Sequence, residues 1–244
     1  MKVSRWVPLG LILLLAGAFV LYRHGRSLWH PVYRRIRGRR TVAEVLERYA
    51  PGREAGLQQH FDRAGVAYPP ARIALLVFKA EKHLELWAQR DGAWVYVRTY
   101  PVLAASGHAG PKLREGDRQV PEGVYRVIWL NPNSSYHLSM KINYPNPHDR
   151  GKARQEGRTE LGGDIFIHGG AVSIGCVAIG DTAIEELFSL VAKIGRSNVE
   201  VIIAPNDIRA GRPARTHPTN PPWTSELHDE IRRVLKPFEK NSSG

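Results

Sequence analysis

Between Arg72 and Tyr100 the chain reads RIALLVFKAEKHLELWAQRDGAWVYVRTY, and this stretch constrains the fold more than any other. RIALLVFKA is an unbroken apolar run of the kind found in strands covered on both faces. HLELWAQ then alternates apolar and polar residues at Leu84, Leu86 and Ala88, Arg90-Asp91-Gly92 supplies a turn, and AWVYVRTY continues. A period of two cannot bury one face of a helix, so the segment demands a β-meander. GVYRVIWLNP, GDIFIHGG (strand at Ile165 to His168) and NVEVIIAP read as further strands.

Helical patterning flanks and interrupts these strands. TVAEVLERYAP reads as a short helix with Thr41 and Glu44 as a capping box and Pro51 closing it. REAGLQQHFDRAG reads as a second helix ending at Gly65, and Pro69-Pro70 marks the change of regime. One helix follows the single cysteine. Thr182 is its expected cap, Glu185 sits in the capping-box position, and Ile184, Leu187, Phe188, Val191 and Ile194 form the buried face. SELHDEIRRVLKPF predicts a terminal helix. Two stretches, SGHAGPKLREGDRQVPEG and the polar part of LSMKINYPNPHDRGKARQEGRTELGG, carry no hydrophobic period and read as long loops. The fold class expected is therefore mainly β with α, over about residues 71–205.

The N-terminus has a different character. Lys2 and Arg5 precede sixteen uncharged residues, Val7 to Tyr22, slightly short for a spanning helix and slightly long for a minimal signal core. Ala16-Gly17-Ala18 offers a cleavage site, so residues 1–22 suit a signal peptide or a signal-anchor. Residues 23–40 hold seven arginines and no acid, a basic stalk beside the apolar segment. Residues 41–70 form a helical lead and residues 206–244 a proline-rich tail. The net charge of +12 gathers largely in the stalk without a recognition motif, so nucleic acid is not expected as a partner.

Cys176 is the only cysteine, so no internal disulfide can form. It lies eight residues after His168 in IHGGAVSIGC, a span that would separate the two by roughly 25 Å if extended. Gly169-Gly170 and Gly175 permit reversal of the chain. Folded back, the imidazole can take the thiol proton and the amides around Gly175 and Val177 can hold an oxyanion, with Ser173 orienting ring or substrate. Spacing alone leaves this reading open beside the plainer one of a buried small hydrophobe and a structural histidine. Scattered histidines without paired spacing give no zinc site, and neither metal nor cofactor is expected.

Ile167-His168-Gly169-Gly170 followed by Ser173-Ile174-Gly175-Cys176 resembles the active-site signature of the L,D-transpeptidase (YkuD-type) catalytic domain. EGDRQVPEGVYRV is similar to the family segment K-x-x-G-D-x-x-T-P-E-G-x-Y, with Val120 in place of threonine, and NPNSSYHLSMKINYPNPHD and CVAIGD extend the likeness to the YafK-like branch. The resemblance implies a β-sandwich-like domain acting on peptidoglycan stem peptides in the periplasm or cell envelope, anchored or exported through residues 7–22. It implies Cys176 as nucleophile and His168 as general base and acid, passing through a thioacyl enzyme at the diaminopimelate L-centre. Many members carry Cys-x-Arg where this chain has Cys176-Val177-Ala178. The YafK-like branch also lacks that arginine, and it is associated with amide cleavage that releases a lipoprotein from peptidoglycan. His137, Gly169 and Lys112 are candidate substrate contacts, with Arg114 and Asp117 on the loop expected to roof the site. Transpeptidation, by 3-3 cross-links or D-amino-acid exchange, is the alternative within the class. A non-catalytic wall- or membrane-binding protein using the stalk is the alternative outside it.

Overall fold

The structure, a computed structural model, describes residues 38–239 together with Gly17. The apolar segment and nearly all of the basic stalk lie outside the described residues. Among those described, no helix is long and apolar enough to cross a membrane.

The strands are β1 (Ile73–Phe78), β2 (His83–Arg90), β3 (Ala93–Pro101), β4 (Ala104–Ala105), β5 (Gly123–Asn131), β6 (Ser139–Ile142), β7 (Phe166–His168), β8 (Val177–Ala178) and β9 (Val199–Ala204). The helices are α1 (Val42–Arg63), α2 (Pro147–Gln155), α3 (Asp181–Ile194) and α4 (Thr224–Leu235). All nine strands form one sheet in the order β3-β2-β1-β9-β5-β6-β7-β8-β4. The meander is antiparallel through β1, β2 and β3, while β1–β9 and β7–β8 are parallel. The class is α+β, with a curled sheet rather than two separate ones.

Every residue of β1 is buried because both faces are covered. Leu75 and Val77 share one core with Ile142, Ile167 and Val177 from the far half of the sheet and with Ile184, Leu187, Phe188 and Val191 of α3. Ala74, Leu76 and Phe78 face the other way, into a second core closed by Leu227, Ile231 and Leu235 of α4. The sheet thus curls around α3, and α4 seals its back.

Four local expectations need correction. The two N-terminal helices are one, α1, with Pro51 inside it. Pro51 gives up one intrahelical hydrogen bond, but burial of Val45, Leu57 and Phe61 on one face spans the break. The capping box at Thr41 and Glu44 is present. α3 is capped at Gly180 (φ 83°) rather than by Thr182, and Glu185 bonds Arg53 (2.6 Å) and His137 (2.7 Å) instead of closing a box. The second long loop contains α2, capped by Asn146 with Pro147 in its first turn and Asp149 completing a box. The strand carrying His168 starts at Phe166.

Phe188 is the largest fully buried side chain that α3 presents to the sheet. Phe188→Ala is expected to cost about 3–5 kcal/mol, measured by urea unfolding. A loss below about 1 kcal/mol would contradict the placement of α3 at the centre of the curl.

Candidate active site

The β7–β8 pairing sets out the site. Ile167 pairs with Val177 and His168 with Ala178 in a parallel ladder. Ile167 and Val177 are both fully buried in the main core. Side chains alternate along a strand, so His168 belongs to the opposite face. Cys176, one residue before Val177, falls on that same face. The sulfur itself lies against the backbone at and just before the start of β7. The Phe166 amide N–H donates to it, and the thiol donates to the Asp164 carbonyl at 3.7 Å.

Gly169 makes the approach possible. A Cβ there would stand 2.6 Å from Asp181 Oδ1 and 2.7 Å from the Tyr136 carbonyl oxygen. Gly170 reverses the chain at φ 71°, and its N–H donates to Asp181 Oδ1 (2.8 Å). Gly175, at φ 90°, performs the second reversal. The turn into the cysteine is closed by two hydroxyls. Ser173 Oγ accepts from the Cys176 N–H (2.9 Å) and donates to the Cys176 carbonyl (2.6 Å). Ser106 Oγ accepts from the Gly175 N–H (2.6 Å) and donates to the Arg118 carbonyl (2.7 Å).

His168 Nδ1 lies 2.6 Å from the Gly169 carbonyl. A carbonyl only accepts, so Nδ1 carries the proton, and in the neutral ring Nε2 is the base. The Tyr136 ring lies tilted over the imidazole, centroids 4.6 Å apart. Burial pushes the imidazole below its ordinary pKa, against opposing effects of the Gly169 carbonyl and Asp181. Burial pushes the Cys176 thiol up, opposed by the Phe166 amide and the Lys112 charge. At rest near neutral pH the thiol therefore keeps its proton and the imidazole is uncharged.

Comparison with known proteins gives the family. The profile of the YkuD family, the L,D-transpeptidase catalytic domain, matches residues 72–203. The chain belongs to that family. It is 34% identical over 138 residues to YafK of Escherichia coli K12, whose name places it among the L,D-transpeptidases. The match covers 54% of this chain, which spans about half (54%) of that relative's length. Among solved structures, the helical cell shape determining protein Pgp2 of Campylobacter jejuni is 24% identical over 60% of this chain and 50% of its own, with a TM-score of 0.46. Bd1075 of Bdellovibrio bacteriovorus is 22% identical over 68% and 55%, with a TM-score of 0.41.

The arginine that many members of the family carry two residues after the cysteine is replaced here by Ala178. It is fully buried and paired with both His168 and Ala104. Several sequence expectations change. The amides expected to form an oxyanion hole are occupied at rest by Ser106 and Ser173, and Val177 is buried within β8. Ser173 braces the turn instead of orienting the imidazole. His137, at φ 76°, turns its ring away to donate from Nε2 to Glu185, and it packs edge-on to Tyr49. Its neighbour Tyr136 meets His168 instead. Gly169 serves close packing. Lys112 is buried, donating to Asp117 Oδ1 (2.5 Å) and the Arg114 carbonyl (2.8 Å), so its charge organises the loop. Asp117 accepts from the amides of Leu113, Arg114 and Gln119, while the Arg114 side chain is exposed.

Sequence reasoning missed Ser106, Tyr136 and Asp181. Asp181 stood inside the quoted CVAIGD, and only the fold shows that it holds the Gly170 amide.

Because Cys176 is the sole cysteine, its alkylation by iodoacetamide can be read on the whole protein. The rate is expected to climb only above the ordinary thiol range of pH. A plateau already reached at pH 7 would show a resting thiolate and contradict the neutral pair.

Proposed function

We propose that the chain is a cysteine amidase of peptidoglycan stem peptides, working in the cell envelope through a thioacyl enzyme. The observation that carries this reading is the β7–β8 register, which sets a base with a fixed tautomer and the only thiol of the chain on one face. Membership of the L,D-transpeptidase family supports the substrate class. The domain limits, with catalysis in residues 71–205 and export or anchoring through residues 1–22, belong to the same proposal.

His168 Nε2 removes the thiol proton as rotation about the Cys176 side chain redirects the S–H from the Asp164 carbonyl. Sulfur attacks the carbonyl carbon at the L-centre of a diaminopimelate residue. The oxyanion that forms, being charged, displaces a neutral hydroxyl from the Gly175 or Cys176 amide, since a charged acceptor makes the stronger hydrogen bond. The imidazolium gives its proton to the leaving amine, and the C–N bond breaks. Water, deprotonated by the same imidazole, attacks the thioester and regenerates the thiol. An amine in place of water would make the outcome transpeptidation. Hydrolysis, with release of a peptidoglycan-linked lipoprotein, is favoured by likeness to the YafK-like branch.

Incubation with peptidoglycan carrying linked lipoprotein, followed by mass spectrometry, tests the proposal. Lipoprotein released as the free leaving amine, with stem peptides left ending in diaminopimelate, is expected from the wild type. Cys176→Ala should give none, and His168→Gln should slow release by about 10²–10⁴-fold. Cross-linked or exchanged peptides dependent on Cys176 would make the enzyme a transpeptidase. Substrate left intact by wild type and Cys176→Ala alike would sink the catalytic reading.

A further inference from the structure

A cavity of about 290 Å³ opens beside the cysteine turn. One wall is Ala105, Ser106, Gly107 and His108, and the other includes Arg215 and Thr216 from the tail beyond β9. Ala105 pairs with Val177, and Ser106 holds the Gly175 amide, so the cavity and the catalytic turn share a wall.

The tail wall is fastened on both sides of Arg215. Asn206 accepts from the Arg215 N–H (2.7 Å) and donates to the Pro213 carbonyl (3.0 Å). Further on, His217 stacks on His108 with centroids 3.9 Å apart, and Asn220 donates to the Ala109 carbonyl (3.0 Å). A loop held this way presents one backbone geometry to the cavity.

The charge of the cavity has one sign. Among the described residues, no acid lines it. Lys79, at its floor, is spent on Glu122 (2.9 Å) and on the carbonyls of Gly110 and Val120. The Arg215 side chain is exposed and makes no ion pair among the described residues. An unbalanced guanidinium at the mouth of a small cavity is a fork for a carboxylate. The volume, at the small end for ligand pockets, suits the end of a peptide rather than its length.

We propose that this cavity is a carboxylate subsite, in which Arg215 selects peptide substrates by their free C-terminal carboxylate. The assignment rests on the proposed amidase reading for the identity of the substrate as a peptide. It gives the tail a part in specificity.

The test uses the full-length chain carrying Cys176→Ala, so that ligand is not consumed. A stem-type peptide is titrated as the free acid and as its C-terminal amide, while the backbone amides of Gly107 and His108 are followed by NMR. The acid is expected to bind about tenfold more tightly than the amide, the value of one charge-assisted hydrogen-bonded contact. Adding Arg215→Ala should erase that preference, and Arg215→Lys should keep part of it, with unfolding midpoints unchanged. An acid preference that survives Arg215→Ala overturns the proposal, as does equal or absent binding of both peptides. Because nothing is turned over, failure of the amidase reading would show separately, as wild-type protein that yields no Cys176-dependent product.

Discussion

The site depends on one short piece of parallel pairing, Ile167 with Val177 and His168 with Ala178. Two apolar side chains of that ladder are locked into the main core, and strand alternation then leaves their neighbours no choice of face. A slip of one residue would bury the imidazole's position in the core and turn Val177 out. The hydrophobic cost of that exchange, more than any contact between sulfur and imidazole, fixes where Cys176 and His168 stand. At rest the thiol bonds the Asp164 carbonyl, and the imidazole bonds Gly169.

So short a ladder needs support from outside. Glu122, fully buried, binds Lys79, His228 of α4 (2.8 Å) and the Gly110 amide (2.7 Å). One carboxylate thereby ties the end of β1, the helix behind the sheet and the loop beside the site. The two long loops also lean on each other. Arg158 donates to the Leu113 carbonyl (2.7 Å), Tyr144 to the Lys112 carbonyl (3.2 Å), and the Glu115 amide to Glu160 (2.9 Å). Polar groups so bonded, the buried Glu122 and Tyr144 above all, hold a specific geometry, because each loses a partner if the loop moves.

Much of this was legible in the sequence. The meander, the last strand and the apolar stripe of α3 followed from periodicity, because burial on one face is what periodicity records. The glycines around Cys176 and His168 only permitted the pairing, and the family resemblance is what pointed to it. What was not legible depends on contacts distant in sequence. His137 and Tyr136 are adjacent, and a positive φ at His137 decides which ring meets His168. Lys112 and Asp117 look like free charges in a polar loop, yet they satisfy one another. The amides of Gly175 and Cys176 looked available until Ser106, 69 residues before Gly175 in the chain, and Ser173 were placed against them. α2 was readable after all, since Asn146, Pro147 and Asp149 spell a capped helix start.

The protonation of His168 is the most direct measure of how the pair is poised. With ¹⁵N-labelled histidine in the intact protein, the His168 ring resonances can be assigned by their loss in His168→Gln. A neutral ring with Nδ1 protonated and Nε2 bare is expected at pH 7, persisting below the ordinary imidazole range. A doubly protonated ring at pH 7, or a proton on Nε2 in its place, would contradict the neutral acid and base on which the mechanism stands.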